Sequence, residues 1–350
     1  MATTQRYADG DPKAAGGFTL IELLVVIAII SILMSILMPA MNGARRQSRT
    51  TLCATHLNHV GKAFQIYLAE NNAVYPPSYI YPKTADGQYD FEEQPTDHPY
   101  GYMHWSWFLY ENGAVKDEAF TCPEFLRGGA PRTNPGENSA DWESGQVDQN
   151  SQSSPNSLVD KQAARIAYVT NAAVVPRNKF TKEMVPGKPR RNVFVSENAI
   201  SDPRAVILAA ELNKSWRVSA VAQGSANACL SKSHRPVSAF YSISSGTDEY
   251  AAPPTGGFRY GVPNTKDYGL LPSTVIDQMV GVIENGAGGP EVNAVGRHHP
   301  GGDRLGGTTN FLYVDGHVGR TTILQTMYER QWGAKFYSLS GPNTEIKGDQ

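Results

Sequence analysis

From Phe18 to Ala40 the chain reads FTLIELLVVIAIISILMSILMPA, 23 residues whose sole ionisable side chain is Glu22. At a rise of about 1.5 Å per residue, a helix over this run spans roughly 35 Å, enough to cross a hydrocarbon core of about 30 Å. The pattern predicts a membrane-crossing helix, because a buried helix of a soluble core seldom needs so long an apolar stretch. An ordinary secretory signal fits poorly, since the run is too long and no small-x-small site follows it. Past Pro39 the polarity rises while the helical period persists, with Leu57, Val60, Phe64, Tyr67 and Leu68 forming one apolar stripe. Asn71-Asn72 marks the expected end, and Pro76-Pro77 blocks continuation.

From residue 71 onward the periodicity shortens. Strands are expected at Arg165–Thr170, Asn192–Ser196, Ala205–Ala210, Trp216–Ala222, Val237–Ile243 and Asn310–Val314, each bounded by polar or Gly/Pro punctuation. Helices are expected at Thr274–Glu284 and Ile323–Trp332. The fold class predicted is α+β, with an antiparallel sheet packed on the second half of the long helix in a large, loop-rich domain. Arg127 to Asp160 is nearly devoid of large apolar residues and reads as a long exposed loop. In NFLYVDGHVGR, Asp315-Gly316 between strand-like flanks predicts a two-residue type I′ hairpin loop. Trp105 and Trp107 alternate in GYMHWSWFLY and would share one face of a strand, as core or as a stacking surface for sugar or for another subunit.

Composition agrees with a folded, loop-rich chain: 350 residues, 40% apolar, 18% charged, with 33 Gly and 23 Pro. Its 31 Lys and Arg against 33 Asp and Glu leave a formal charge of −2, so no nucleic-acid partner is expected. The N-terminal motif then changes the picture. The segment GGFTLIELLVVIAIISIL resembles the cleavage and methylation segment of type IV prepilins and type II secretion pseudopilins. The resemblance implies a hydrophilic leader over 1–17, an assembly helix over 18–70 and an extracytoplasmic globular domain over 71–350. It implies cleavage by a prepilin peptidase between Gly17 and Phe18, methylation of Phe18, and pairing of Glu22 with the N-terminal amine of a neighbouring subunit. A carboxylate stranded in lipid benefits from such a cation. Pro39 resembles the proline that kinks or locally melts the first helix of many pilins. The leader departs from the pattern in having no Arg or Lys directly before its glycines. The count of nearby basic residues, Arg6 and Lys13 against Arg45, Arg46 and Arg49, also runs against the implied orientation.

A second resemblance lies near the C-terminus. RHHPGG…NFLYVDGHV is similar to the closing motif of DUF1559-type prepilin-like proteins, a histidine followed after nine residues by Asp-Gly. His299 is the matching histidine, and about six extra residues around Asp303–Gly307 lengthen the spacing. Cys122-Pro123, and VILAAE ending at Glu211, resemble further marks of that family.

Candidate chemistry beyond assembly is sparse. His298, His299, Asp303, Asp315 and His317 are metal-compatible, and His56 and His59 share a helical face. The simpler reading gives these residues to turns and packing, so no metal or cofactor is expected. Phosphate loop, nucleophile elbow, dinucleotide fingerprint and zincin helix are all missing from the sequence, and no enzymatic activity is expected. An extracytoplasmic location permits a Cys122–Cys229 disulfide with Cys53 free. The expected function is that of a prepilin-like structural subunit in a type II secretion pseudopilus or type IV pilus-like fibre, made as a single-pass inner-membrane precursor. Its expected partners are the peptidase, other pilin subunits, an inner-membrane assembly platform and membrane lipid. The alternative is a tethered extracytoplasmic domain, binding or enzymatic and directed at polysaccharide, on a prepilin-type anchor.

Overall fold

A computed structural model describes residues 17–350 apart from 92–93, 96–97, 112, 179, 181–191, 225–226, 243–256, 263–264, 286–288, 342 and 348–350. The chain divides into two compact units, Met1–Arg46 and Gln47–Gln350. The helix α1 (Leu20–Glu70) is continuous and contains Pro39. Its turns are not melted at the proline, although the missing N–H leaves the Ser35 carbonyl without its usual helical donor. The helix ends where expected. Asn72 and Ala73 take positive φ of 53° and 57°, and the Ala73 N–H returns to the Leu68 carbonyl at 2.8 Å.

In the second unit, the elements that follow α1 are β1 (Tyr79–Ile80), β2 (Met103–His104), α2 (Trp105–Tyr110), β3 (Ala130–Pro131), β4 (Gln146–Val147), β5 (Arg165–Ile166), β6 (Tyr168–Thr170) and β7 (Ile207–Glu211). Then come β8 (Ala220–Ala222), β9 (Cys229–Ser231), β10 (Phe240–Ser242), β11 (Phe258–Tyr260), α3 (Ser273–Ile276) and α4 (Val282–Asn285). The chain closes with β12 (His299–Asp303), β13 (Gly306–Tyr313), β14 (Val318–Thr321) and α5 (Ile323–Tyr328). The principal sheet is antiparallel and runs β12-β13-β7-β6, with β14 also on β13. The stripe Leu57, Val60, Phe64, Tyr67 and Leu68 is buried in the core together with sheet residues Tyr168, Leu208, Phe311 and Leu312. At Gly61 a Cβ would come within 2.7 Å of Leu312 Cδ1, so glycine lets helix and sheet approach without displacing that side chain. The α+β expectation holds.

Several local expectations do not. Asn192–Ser196 contributes isolated bridges at Asn192 and Ser196 rather than a strand. Trp216–Ser219 is a 3-10 turn that leads into β8, and Ile243 lies outside the described residues. The expected helix at 274–284 is split into α3 and α4. Arg127–Asp160 is exposed only in part: residues 137–140 and 150–155 are exposed as expected, whereas Thr133, Asn134, Gln146, Asp148 and Asp160 are buried. Its side chains serve backbone groups: Asp160 accepts from the N–H groups of Asn134 at 2.8 Å and Tyr102 at 2.9 Å, and Gln146 donates to the Arg132 carbonyl at 2.7 Å. Polar segments can be buried when they supply their own hydrogen bonds. Trp105 and Trp107 lie on a helical turn, not a strand, and therefore do not share a face. Trp105 is buried and stacks on Phe64 with centroids 5.4 Å apart.

The β13–β14 connection also differs from the type I′ expectation. The Gly316 N–H bonds the Tyr313 carbonyl at 2.9 Å, and Gly316 has φ of 88° while Asp315 does not have positive φ. Only glycine takes the left-handed position, as in a type I turn closed by a glycine bulge. The extra residues around Asp303–Gly307 form the tip of the β12–β13 hairpin, where Asp303 faces Gly306.

Candidate functional site

The N-terminal unit presents apolar side chains from Phe18 (73% exposed) through Leu20, Ile27, Leu33 and Ile36 to Met41, all exposed. Ser31 and Ser35 turn their hydroxyls back to the carbonyls of Ile27 and Ile32, each at 2.7 Å. These bonds remove two polar groups from a surface otherwise suited to lipid or to another apolar helix. Thr19 and Glu22 form a reciprocal cap at the helix start. The Thr19 N–H and hydroxyl donate to Glu22 Oε2 at 2.9 and 2.7 Å, and the Glu22 N–H donates to Thr19 Oγ1 at 3.3 Å. Glu22 therefore has partners within its own chain. Gly17 is exposed, and a Cβ there meets nothing within 4 Å, so packing within the described residues places no demand for glycine at the expected cut. The leader before Gly17 lies outside the described residues.

A second group of residues was only partly visible in the sequence. Cys53 of α1 is bonded to Cys122, with Cα atoms 5.1 Å apart, while Cys229 is buried and free. This corrects the expected Cys122–Cys229 pairing. Sequence separation carries no information on Cα distance, which here is set by how α1 docks on the sheet. Close to the disulfide, Glu211 at the end of β7 meets His299 at the start of β12, with Nε2 to Oε1 at 2.8 Å. Register explains the meeting, since β13 pairs Phe311 with Ala210 of β7 and Thr308 with His299 of β12. Asn310 donates to Glu211 from its backbone N–H and from Nδ2, both at 2.9 Å. His299 Nδ1 is 3.1 Å from the Thr50 hydroxyl on α1, and the Asn310 amide reaches the Thr50 carbonyl at 3.3 Å. The Tyr168 hydroxyl donates to the Cys53 carbonyl at 3.0 Å.

Burial pushes the Glu211 carboxyl up, yet the His299 hydrogen bond and the other nearby donors outweigh it and hold the group below the ordinary carboxylate range. Burial pushes the His298 imidazole down to about 4. His298 is therefore neutral at pH 7, and the support for the carboxylate comes from His299 and Asn310. The five metal-compatible residues of the C-terminal motif do not converge. Asp315 and His317 form a separate exposed pair at 2.6 Å, remote in the strand register from His299. His56 Nδ1 is 2.8 Å from the Thr121 carbonyl and His59 is exposed, so these two belong to packing and surface.

Comparison with known proteins supports the N-terminal reading. The prokaryotic N-terminal methylation motif matches residues 12–38. The type IV wide pilus major component PilA4 of Thermus thermophilus is 46% identical over 61 residues, 17% of this chain and 47% of that protein. The type II secretion system core protein G of Pseudomonas aeruginosa is 29% identical over 87 residues, 25% of this chain and 56% of that protein. The chain thus carries a prepilin methylation motif and is homologous over part of its length to a pilin and a pseudopilin. It spans about half the length of each of these relatives. No solved structure matches.

Proposed function

We propose that this chain is a prepilin-like structural subunit, cut by a prepilin peptidase between Gly17 and Phe18, methylated at Phe18, and assembled through its apolar helix into a pilus-like fibre or secretion pseudopilus. The observation that carries the proposal is the exposed apolar run that begins at the methylation motif and is long enough to span a membrane. Before assembly, the helix rests in the inner membrane as a single-pass anchor, with lipid covering its apolar side chains. An assembly platform then exchanges lipid for neighbouring helices, and residues 71–350 lie outside the cytoplasm. Glu22 shifts from its Thr19 cap to the new N-terminal ammonium of a neighbour, which sets the register. The work is assembly rather than turnover, in keeping with relatives named as a pilus component and a secretion-system core protein. The tethered glycan-binding alternative loses its main support, because Trp105 is in the core and does not share a face with Trp107.

Mass spectrometry of the N-terminus from native membranes tests the reading, with a mature chain starting at methylated Phe18 as the expected result. Retention of Met1 through Gly17 in native material would overturn it. Replacing Gly17 by a larger residue is expected to leave folding intact and make the precursor accumulate. Glu22→Val is expected to insert and be cut yet give few fibres, and fibre yields equal to wild type would remove the pairing role.

A further inference from the structure

We propose that Cys53, Cys122, Glu211 and His299 form a redox-gated zinc site, closed while the two sulfurs are bonded to each other and able to hold one Zn²⁺ once they are reduced. One ligand atom from each of the four residues lies within 4.8 Å of all the others, and all four residues are buried. They come from separate parts of the fold: α1, the segment after the 3-10 turn Asp117–Phe120, the end of β7 and the start of β12. Two thiolates, an imidazole and a carboxylate make a closed four-ligand set of the kind zinc binds tetrahedrally. Calcium and magnesium prefer six or more oxygen ligands and fit this set poorly.

The surrounding groups are arranged as metal-supporting neighbours are. Thr50 occupies His299 Nδ1 and leaves Nε2 on the side of Glu211, while Asn310 orients both carboxylate oxygens. A further imidazole lies at the rim: His298 Nε2 is 4.0 Å from Cys122 Sγ and 4.0 Å from Glu211 Oε2. Its Nδ1 is buried without a hydrogen-bond partner, and its side chain is 5% exposed. A structural crosslink has no need of a carboxylate and two imidazoles packed against it, and burying the His298 imidazole with Nδ1 unpartnered is costly. A thiolate–zinc centre uses the Glu211 carboxylate and the His299 imidazole as ligands, with His298 at its rim.

The gating step is thiol–disulfide exchange. An external dithiol supplies two electrons and two protons; its own sulfurs become joined in a disulfide, the Cys53–Cys122 bond breaks, and two cysteine thiols form. Zn²⁺ then displaces both thiol protons to solvent, giving two Zn–S bonds beside one Zn–N bond to His299 and one Zn–O bond to Glu211. Oxidation of the two thiolates by a disulfide reverses the step and releases the ion.

The test uses the full-length chain in detergent micelles, reduced with a dithiol that is then removed under inert gas, and titrated with Co²⁺ as a spectroscopic stand-in. One equivalent is expected to bind with sulfur-to-cobalt charge-transfer absorbance and tetrahedral visible bands, and Zn²⁺ is expected to displace it. The oxidised chain is expected to show neither. Glu211→Gln and His299→Gln should weaken binding by about tenfold or more, while Cys229→Ser should bind like wild type. Absence of uptake by a reduced, folded chain overturns the proposal, as does equal uptake by the oxidised chain. Should reduction unfold the protein, recovery of near-ultraviolet circular dichroism on adding Zn²⁺ supports the site, and failure to recover overturns it. None of these outcomes depends on fibre assembly.

Discussion

Glu211 illustrates how much a single buried charge can require of its neighbours. At zero exposure it accepts two hydrogen bonds from Asn310 and contacts the His299 imidazole. Replacing it with alanine strands those donors away from water, and breaking a buried pair in this way typically costs about 3–5 kcal/mol. Glu211→Ala is therefore expected to lower the urea midpoint strongly with little change in the slope of the transition. Glu211→Gln, which keeps one acceptor oxygen, should lose less. A midpoint equal to wild type for the alanine variant would show that the network contributes nothing to stability. The folded chain holds the Glu211 carboxyl below the ordinary range, so its contribution is present above about pH 4.3 and is lost as pH falls through the folded value. Cys122, Glu211 and His299 were each legible in the sequence as separate marks of a resemblance. Their convergence was not, because it depends on two strand registers that meet on β13. Cys53 was misread for a related reason: a helix position shows which face it occupies and not what that face meets.

The second half of α1 is the element on which the second unit is built. Phe64 is fully buried, stacks on Trp105 and meets Tyr75 edge-on with centroids 6.2 Å apart. Truncation to alanine should cost about 3–5 kcal/mol, seen as a large drop in melting temperature. Leu33→Ala changes an exposed residue of the first unit and should leave that melting temperature unchanged. The disulfide joins α1 to a residue 69 positions later, and a crosslink of that span contributes about 4 kcal/mol in a chain-entropy account. Cys122→Ser is thus expected to melt well below wild type, and an unchanged melting temperature would refute the structural role of the bond. Elements with a clear period were readable in advance. The stripe on α1 lies where helical spacing placed it, and β6, β7 and β13 overlap the expected strands, although Arg165–Thr170 is divided between β5 and β6 and β13 begins at Gly306 rather than Asn310. The misreadings came where tertiary contacts override local pattern. Parts of polar 127–160 are buried with their own hydrogen bonds, and the tryptophan pair is helical because His104 caps α2, its Nδ1 accepting from the Ser106 N–H at 3.1 Å.

For the molecule as a whole, the formal charge of −2 conceals a set of buried ionisable groups that resist taking their charged forms. Burial pushes His104 down to about 3, His298 down to about 4 and His234 well below its ordinary value. Burial pushes Asp160 the other way, up to about 6, despite the N–H groups of Asn134 and Tyr102 that favour its charge. In the unfolded chain these histidines titrate near 6.5 and the aspartate near 3.9. Around pH 5.5 the unfolded chain therefore binds about three protons on the histidines that the native chain lacks, while the native chain keeps about one on Asp160, a net uptake on unfolding of roughly two. Stability must fall as pH drops through this window, by roughly 3 kcal/mol per pH unit if these four groups dominate. Denaturant midpoints measured between pH 6.5 and 5 check the sign, and a flat or opposite dependence would mean that the buried histidines are charged in the native state. Asp160→Asn separates the two contributions. It removes the one proton that opposes the histidines, so the variant should start less stable yet lose stability more steeply with acid than wild type.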